Sequence, residues 1–382
     1  MAVNKPENQP QHQNLQPPIH PYYEQKYDEI DLRELFKALW DGKWIIITCT
    51  LVFSIGAVIY ALTTQEWWSS KARIVAPQAQ DFASYQLQVK QFQPVFDVYQ
   101  EDGTVLVSRA LNGLIDNQKL FTNFITAFNS NANKKLFLDS NPTFQKFKNK
   151  LDADADADAD ADEAKRRLYS EWYGRITADA PDKNNKLSFV LSIQATSKRY
   201  SYQMLLDYVQ FIKQIVHQNM LKNLDVMVQA KNYELLQQKV ALSSQAKLRL
   251  DIEAKRAKYA LEIAKAASIN HPVQNLGENE LFAINLGSKA IEAKIKALES
   301  VKNLGVIEPR LQQIDAKLSL LNKTEIDQSI EYQTFQYLEE PEQGISRDKP
   351  KRSLIAVLGC LLGGMLGVAI VLVRFTFGKT DV

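Results

Sequence analysis

RYSYQMLLDYVQFIKQIVHQNMLKNLDVMVQAKNYELLQQKVALSSQAKLRLDIEAKRAKYALEIAKAASIN, residues Arg199–Asn270, is the stretch on which the fold turns. It holds neither proline nor glycine, and that gap runs from Pro181 to Pro272. Leu205, Tyr208, Val209, Ile212, Ile215 and Val216 recur at the spacing of one helix face. Leu224, Met227, Val228, Leu235 and Leu242 continue the stripe less regularly. A helix of roughly seventy residues is roughly 100 Å long at 1.5 Å per residue. Helices of globular domains average about three turns, so an ordinary compact domain is a poor fit. Beyond residue 241 the stripe thins to Ala246, Ala254, Ala257, Ala260 and Ala264 among Lys, Arg and Glu. Such a surface builds little core alone, so it is expected to lean on a partner helix of this chain or of a neighbouring copy. Pro272 is expected to end the helix after Asn270. Helices near Ser288–Lys302 and Pro309–Leu321 are expected to bring the chain back.

Two apolar runs stand outside this helix. Trp44–Thr63 reads WIIITCTLVFSIGAVIYALT and Leu354–Val373 reads LIAVLGCLLGGMLGVAIVLV, both without a charged residue. A hydrocarbon core of roughly 30 Å needs about 20 helical residues, so both are expected to span a membrane. The first follows mostly polar sequence and lacks a small-residue cleavage site, unlike a signal peptide. Trp44, Tyr60, Trp67 and Trp68 flank it like an interfacial aromatic belt. Lys26, Arg33, Lys37 and Lys43 precede it, and only Lys71 and Arg73 follow closely, which favours a cytoplasmic N-terminus. The second run carries the opposite bias: Arg347, Lys349, Lys351 and Arg352 before it, Arg374 and Lys379 after it. The first span usually dominates, and a long domain translocates largely regardless of charge. Both termini are therefore expected in the cytoplasm and residues 64–353 outside it. With a short segment after the second span, a signalling output domain is not expected there.

The organisation expected is a cytoplasmic segment 1–43, spans 44–63 and 354–373, and a cytoplasmic end 374–382. Between the spans, a base of 64–198 and 323–353 carries a helical arm, 199–322. Residues 1–21 are polar and rich in Pro, Gln and Asn, a composition that does not favour a packed core. In DEIDLRELFKALWDGK, residues 28–43, Ile30, Leu32, Leu35, Phe36 and Leu39 mark a short amphipathic helix ending at Gly42. Trp67–Pro77 reads as a strand, and residues 82–150 as short helices with Asn-rich breaks. Leu187, Phe189, Leu191 and Ile193 alternate as in a half-buried strand. Tyr332–Leu338 is a further strand candidate. The fold class is thus a membrane protein of α+β type: two terminal transmembrane helices, a membrane-proximal base and a very long helix. The base is made from both sides of the helical insertion.

Composition narrows the function. Lys and Arg number 46 against 44 Asp and Glu, a net charge of +2, and no basic stripe interleaves with aromatics, so nucleic acid is not an expected partner. Cys49 and Cys360 are the two cysteines, both inside apolar runs, so no disulfide framework or cysteine metal site is expected. No phosphate-binding Gly-rich loop with a following Lys occurs, and the sequence offers no evident nucleophile–base–acid set. Neither a catalytic residue nor a cofactor is expected. In the second span Gly359, Gly363 and Gly367 lie four apart, hence on one face, a pattern that favours close helix–helix contact in lipid. Their partner is left open: the first span, another subunit or another membrane protein. DADADADADADE, residues 152–163, places Asp152, Asp154, Asp156 and Glu163 at calcium-loop positions, but Ala157 stands where that loop turns on glycine. A solvated acidic segment is the reading preferred, and no metal site is assigned.

These pieces resemble one family, the Wzz polysaccharide chain-length determinants, or polysaccharide co-polymerases. The resemblance rests on DEIDLRELFKALWDGKWIII at 28–47 and on EEPEQGISRDKPKRSLIAVLGCLLGGMLGVAIVLVR at 339–374. In the second stretch Pro341 and Pro350 beside a Gly-rich span look like the family's terminal proline motif. LGENELFAINLGSKAIEAKIKAL, within 272–298, resembles the segment after the family's long helix. The Asp–Ala run departs from the family pattern. The resemblance implies a homo-oligomer in the inner membrane of a Gram-negative cell, the bulk of each chain being periplasmic. It implies control of the modal length of a lipid-linked surface glycan, O-antigen in the first instance, made by a Wzy-type polymerase. A periplasmic coiled-coil adaptor of an envelope export complex would use the same long helix and is the competing expectation.

Overall fold

The computed structural model describes residues 32–100, 102–154, 159–182, 187–273 and 282–378. The N-terminal tail with Ile30, residues 155–158 of the acidic run and part of the loop after Pro272 lie outside the described residues. The chain divides into two compact units, Met1–Thr64 with Pro350–Val382, and Gln65–Lys349.

The first unit holds α1 (Leu32–Asp41), α2 (Lys43–Thr63) and the C-terminal α12 (Arg352–Gly378). α2 and α12 are long and apolar enough to cross a membrane. Most of their large side chains are exposed, among them Leu51, Ile55 and Ile59 of α2 and Leu358, Leu361 and Met365 of α12. Water does not leave such surfaces uncovered at low cost, and lipid does.

The second unit begins with β1 (Trp68–Val75), α3 (Ala83–Lys90) and α4 (Gln93–Phe96), followed by a small hairpin of β2 (Val98–Tyr99) and β3 (Val105–Leu106). Next come α5 (Asn117–Asn129), α6 (Asn131–Ser140), α7 (Pro142–Asp154) and α8 (Ala159–Tyr173), then β4 (Ile176–Asp179) and β5 (Ser188–Ala195). α9 (Lys198–Ala266), α10 (Ser288–Ser300), α11 (Arg310–Lys323) and β6 (Gln336–Glu342) complete it. The four-stranded sheet has the order β4-β5-β1-β6, with each neighbouring pair antiparallel. β1 is therefore central, paired along its length with β5, from Trp68 opposite Ala195 to Val75 opposite Ser188. On its other side β6 returns from the far end of the chain, and the bridge between Trp67 and Lys349 extends that meeting. The two flanks of the helical insertion thus build one sheet.

Strand alternation decides which face of the sheet is covered. Ala72 and Ile74 of β1, Leu191, Ile193 and Ala195 of β5, and Ile176 and Ala178 of β4 are buried. Met204, Leu205, Tyr208, Val209, Ile212 and Val216 of α9 bury the 3.6-residue stripe in the same core. Phe128 of α5 and Phe137 of α6 pack against the ring of Tyr208, whose hydroxyl donates to the Phe128 carbonyl at 2.7 Å. A second aromatic cluster gathers on Trp172 of α8, fully buried against Trp67, Phe144 and Phe147. The guanidinium of Arg175 lies 3.7 Å from the Trp67 ring centroid, a cation over an aromatic face.

α9 is one uninterrupted helix of 69 residues. Ser197 caps its N-terminus, the hydroxyl accepting from the Tyr200 amide at 3.2 Å. Its C-terminus corrects the sequence reading. The helix stops at Ala266, before Pro272 has any influence. Ser268 takes φ 57°, Ile269 N–H bonds the Ala264 carbonyl at 2.9 Å and Ser268 N–H the Lys265 carbonyl at 3.1 Å. This is a Schellman ending with a serine in the left-handed position that glycine usually fills. Ile269 then packs in the Ala264 cluster, the hydrophobic contact that accompanies the motif. The last strand also differs. Tyr332 and Phe335 are buried but lie ahead of the strand, and β6 starts at Gln336.

The thin distal stripe of α9 finds its partners within the chain. Ala257, Ala260 and Ala264 pack against Ile291 and Ile295 of α10. Nearer the sheet, Leu235 shares the main core with Ile314 and Leu321 of α11.

Candidate functional site

The residues singled out by sequence fall in two places. Gly359, Gly363 and Gly367 face α2. A methyl carbon built on Gly359 would lie 2.5 Å from Ala57 Cβ and 3.2 Å from the Phe53 carbonyl oxygen. On Gly363 it would lie 2.7 Å from Thr50 Cα and 2.9 Å from the Cys49 carbonyl oxygen, and on Gly367, 2.7 Å from Ile46 Cα. These are backbone contacts that no side-chain rearrangement relieves, so only glycine permits this approach at 363 and 367. The partner left open by sequence is the first span of the same chain. The contact lengthens through Gly42, where an added carbon would meet Val371 Cγ2 at 2.5 Å. Without a hydrophobic drive between helices in lipid, close packing and interhelical hydrogen bonds carry association. Ser54 Oγ and Cys360 Sγ lie 3.0 Å apart, and Arg352 Nε donates to the Ala61 carbonyl at 3.1 Å.

Pro341 and Pro350 do not share a site. Pro341 lies within β6, the sheet-edge strand, where the register against β1 slips between the pairs Lys71–Glu342 and Arg73–Glu339. A residue without an amide proton is tolerated at such an edge irregularity. Pro350 is a buried residue of the other unit, two residues before α12 begins. Around β6 the surface is acidic: Glu339, Glu340 and Glu342 line an open cleft with Ser69 and Lys71. Arg73 reaches Glu339 at 3.3 Å, and Glu66 receives Arg347 at 2.8 Å.

Along the arm, ion pairs join α9 to its returning helices. Lys239 meets Asp315 at 2.6 Å and Lys258 meets Glu299 at 2.6 Å. Glu308 is the exception to their exposure, its side chain only 5% accessible and held by Arg310 and by Arg249 at 3.3 Å. The hydrogen bond from Arg310 keeps its carboxyl below the usual range, against the opposing effect of burial. Sequence reading missed this cluster because its members lie 59 residues apart in the chain. Of the acidic run, Asp152 and Asp154 end α7 and Glu163 lies in α8, paired with Arg167 one turn on at 2.6 Å. Among the described residues no group of three or more metal-ligating side chains occurs.

Two apolar terminal helices, a sheet closed by both chain flanks and a long helix with returning partners define a class of fold. A solved structure described as a full-length bacterial polysaccharide co-polymerase shares it, with a TM-score of 0.61 at 23% identity over 92% of this chain and 99% of that one. The model described as "Wzz: Chain length determinant protein" matches residues 28–116, and the chain resembles that family, as its terminal motifs suggested. A protein of Escherichia coli K12 named Chain length determinant protein is 27% identical over 357 residues, 91% of this chain and 93% of its own. Another from the same strain, named Ferric enterobactin transport protein FepE, is 24% identical over 376 residues, 95% of this chain and 93% of its own.

Proposed function

We propose that this protein regulates the length of a surface polysaccharide, setting the modal length of a lipid-linked glycan, O-antigen in the first instance, made by a Wzy-type polymerase. The observation that carries this reading is the match to the Escherichia coli chain length determinant protein over 91% of this chain and 93% of that one, together with two helices long and apolar enough to cross a membrane. The reading is of a regulator that acts on the polymerase's product length rather than of a catalyst. The chain works as a homo-oligomer in the inner membrane, with both termini cytoplasmic and residues 64–353 periplasmic. Gly359, Gly363 and Gly367 serve to hold its two spans together, and Pro341 to shape the edge of the sheet. The positive charge before the first span supports that orientation.

The test is deletion of the gene followed by electrophoresis of the cell's lipopolysaccharide. A modal cluster of bands is expected in the parent, a ladder without that mode in the deletant, and recovery when the gene is returned on a plasmid. Uptake of ferric siderophore is expected to be the same in all three strains. A banding pattern indifferent to the deletion would overturn the reading and favour an adaptor role for the long helix.

A further inference from the structure

The sheet-bearing unit holds a second candidate site, a cleft of about 650 Å³ between the first half of α9 and the segment Gln328–Thr334. We propose that this cleft binds saccharide, with a short run of sugar rings lying along α9.

One wall is a ladder of amides. Gln210, Gln214 and Gln218 recur every four residues, so their side chains rise along one helix face over about 12 Å. All three are exposed, and among the described residues none of these amides is bonded to another protein group. Gln328 and Gln333 face them from the other wall. An amide offers two donors and an acceptor, which matches the vicinal hydroxyls of a sugar, each both donor and acceptor.

The opposite wall is fixed in place. Ser84 Oγ donates to the Glu331 carbonyl at 2.6 Å, the Gln333 amide to the Asp81 carbonyl at 2.8 Å, and Gln88 Nε2 to the Asp327 carbonyl at 3.1 Å. The cleft therefore presents preformed walls, which lowers the ordering cost of binding. At its base Tyr332 stacks on His217 at 4.6 Å and on Tyr85 at 4.7 Å, with interplanar angles of 24° and 23°. Tyr332 and Thr334 are only 7% and 3% exposed, and neither hydroxyl has a protein partner. Buried polar groups left unbonded are uncommon in folded proteins, and the hydroxyl of a bound sugar would give these two a partner.

Charge and polarity select the ligand class. Lys213 and Glu331 are the charged members of the lining and offset one another, so the cleft lacks the excess of cations that a phosphate backbone requires. Apolar anchors for a docking helix are likewise few, because amide and hydroxyl side chains predominate. A neutral or weakly charged polyol fits this lining best. The inference deepens the proposed function by giving the glycan a place on the chain, and it rests on that reading only for which glycan is used as probe.

The experiment uses the full chain in lipid nanodiscs. The probe is O-polysaccharide released by mild acid from the lipopolysaccharide of the producing strain, with a dextran of similar length beside it. Saturation-transfer NMR, titrated to millimolar sugar, is expected to show binding of the O-polysaccharide. Q210A/Q214A/Q218A is expected to weaken it at least tenfold, with helical circular dichroism and thermal transition unchanged. Q245A, an exposed glutamine farther along α9, is expected to bind as wild type. Absence of binding by the wild-type chain, or equal binding by the triple variant, would overturn the proposal. A deletant with normal glycan banding, found together with Gln-dependent sugar binding, would count against the proposed function alone and leave the cleft assigned.

Discussion

The sheet region and the far end of the arm are built on opposite plans. Around the sheet, Trp172, Tyr85, Tyr208, Phe92, Phe124 and Phe128 are fully enclosed, each a large apolar body removed from water. At the distal end of α9 the buried set is three alanines and two isoleucines. Burial stabilises by roughly 25 cal/mol per Å² of apolar surface, so the aromatic core carries most of the stability and the alanine seam little. The seam gains closeness of approach, and its flanks add ion pairs worth about 0–1 kcal/mol each where exposed. Local opening should therefore begin at the arm's end while the sheet stays closed.

The heaviest blow to this contrast falls on the core. Trp172→Ala should cost about 3–5 kcal/mol and lower the main thermal transition of the full chain, read by circular dichroism in detergent. A shift confined to the arm's hydrogen exchange would contradict it. Ile291→Ala should cost about 2–4 kcal/mol but be felt locally. Amide exchange is expected to quicken across 257–264 and 288–300 and stay as it was in β1 and β5. Ala260→Leu tests the seam by overfilling it. A penalty of about 1–3 kcal/mol and the same local exchange pattern are expected, and a stabilised arm would show that the seam has spare room.

The smallest effect concerns Glu308. Its folded pKa lies below the ordinary 4.5, so the stability it contributes is present above that value and fades as pH falls through the lower folded value. Exchange protection of the 249–310 contact should decline below about pH 4.5 in the wild type. In Glu308→Gln that decline should be blunted, with weaker protection already at pH 7.

How much of this was legible depended on whether the signal was local. α9 could be read because proline and glycine are missing over a long interval, and α2 and α12 because twenty uncharged residues are a property of one segment. β1 and β5 showed in their alternation. The end of α9 was misplaced because Ser268 takes a conformation normally reserved for glycine, and only the Ala264–Ile269 hydrogen bond reveals it. The strand candidate reached back to Tyr332 and Phe335, whose apolar character serves the aromatic core, while β6 itself, QYLEEPE, is a mostly exposed edge with no alternation to read. The glycine face of α12 was visible at its spacing, but its partner is identified only by the atoms of α2 that meet it, those of Ile46, Cys49, Thr50, Phe53 and Ala57.

The pairing of β1 with β6 sets a timetable. β1 is among the first segments of its unit to leave the ribosome, yet one of its neighbours ends at Glu342, after the whole helical insertion has been made. Until then the central strand carries an unpaired flank, the kind of exposed backbone that invites pairing with another chain. Translation that stalls within the insertion leaves that flank open, so premature termination in the arm yields a product prone to aggregate rather than a shortened working protein.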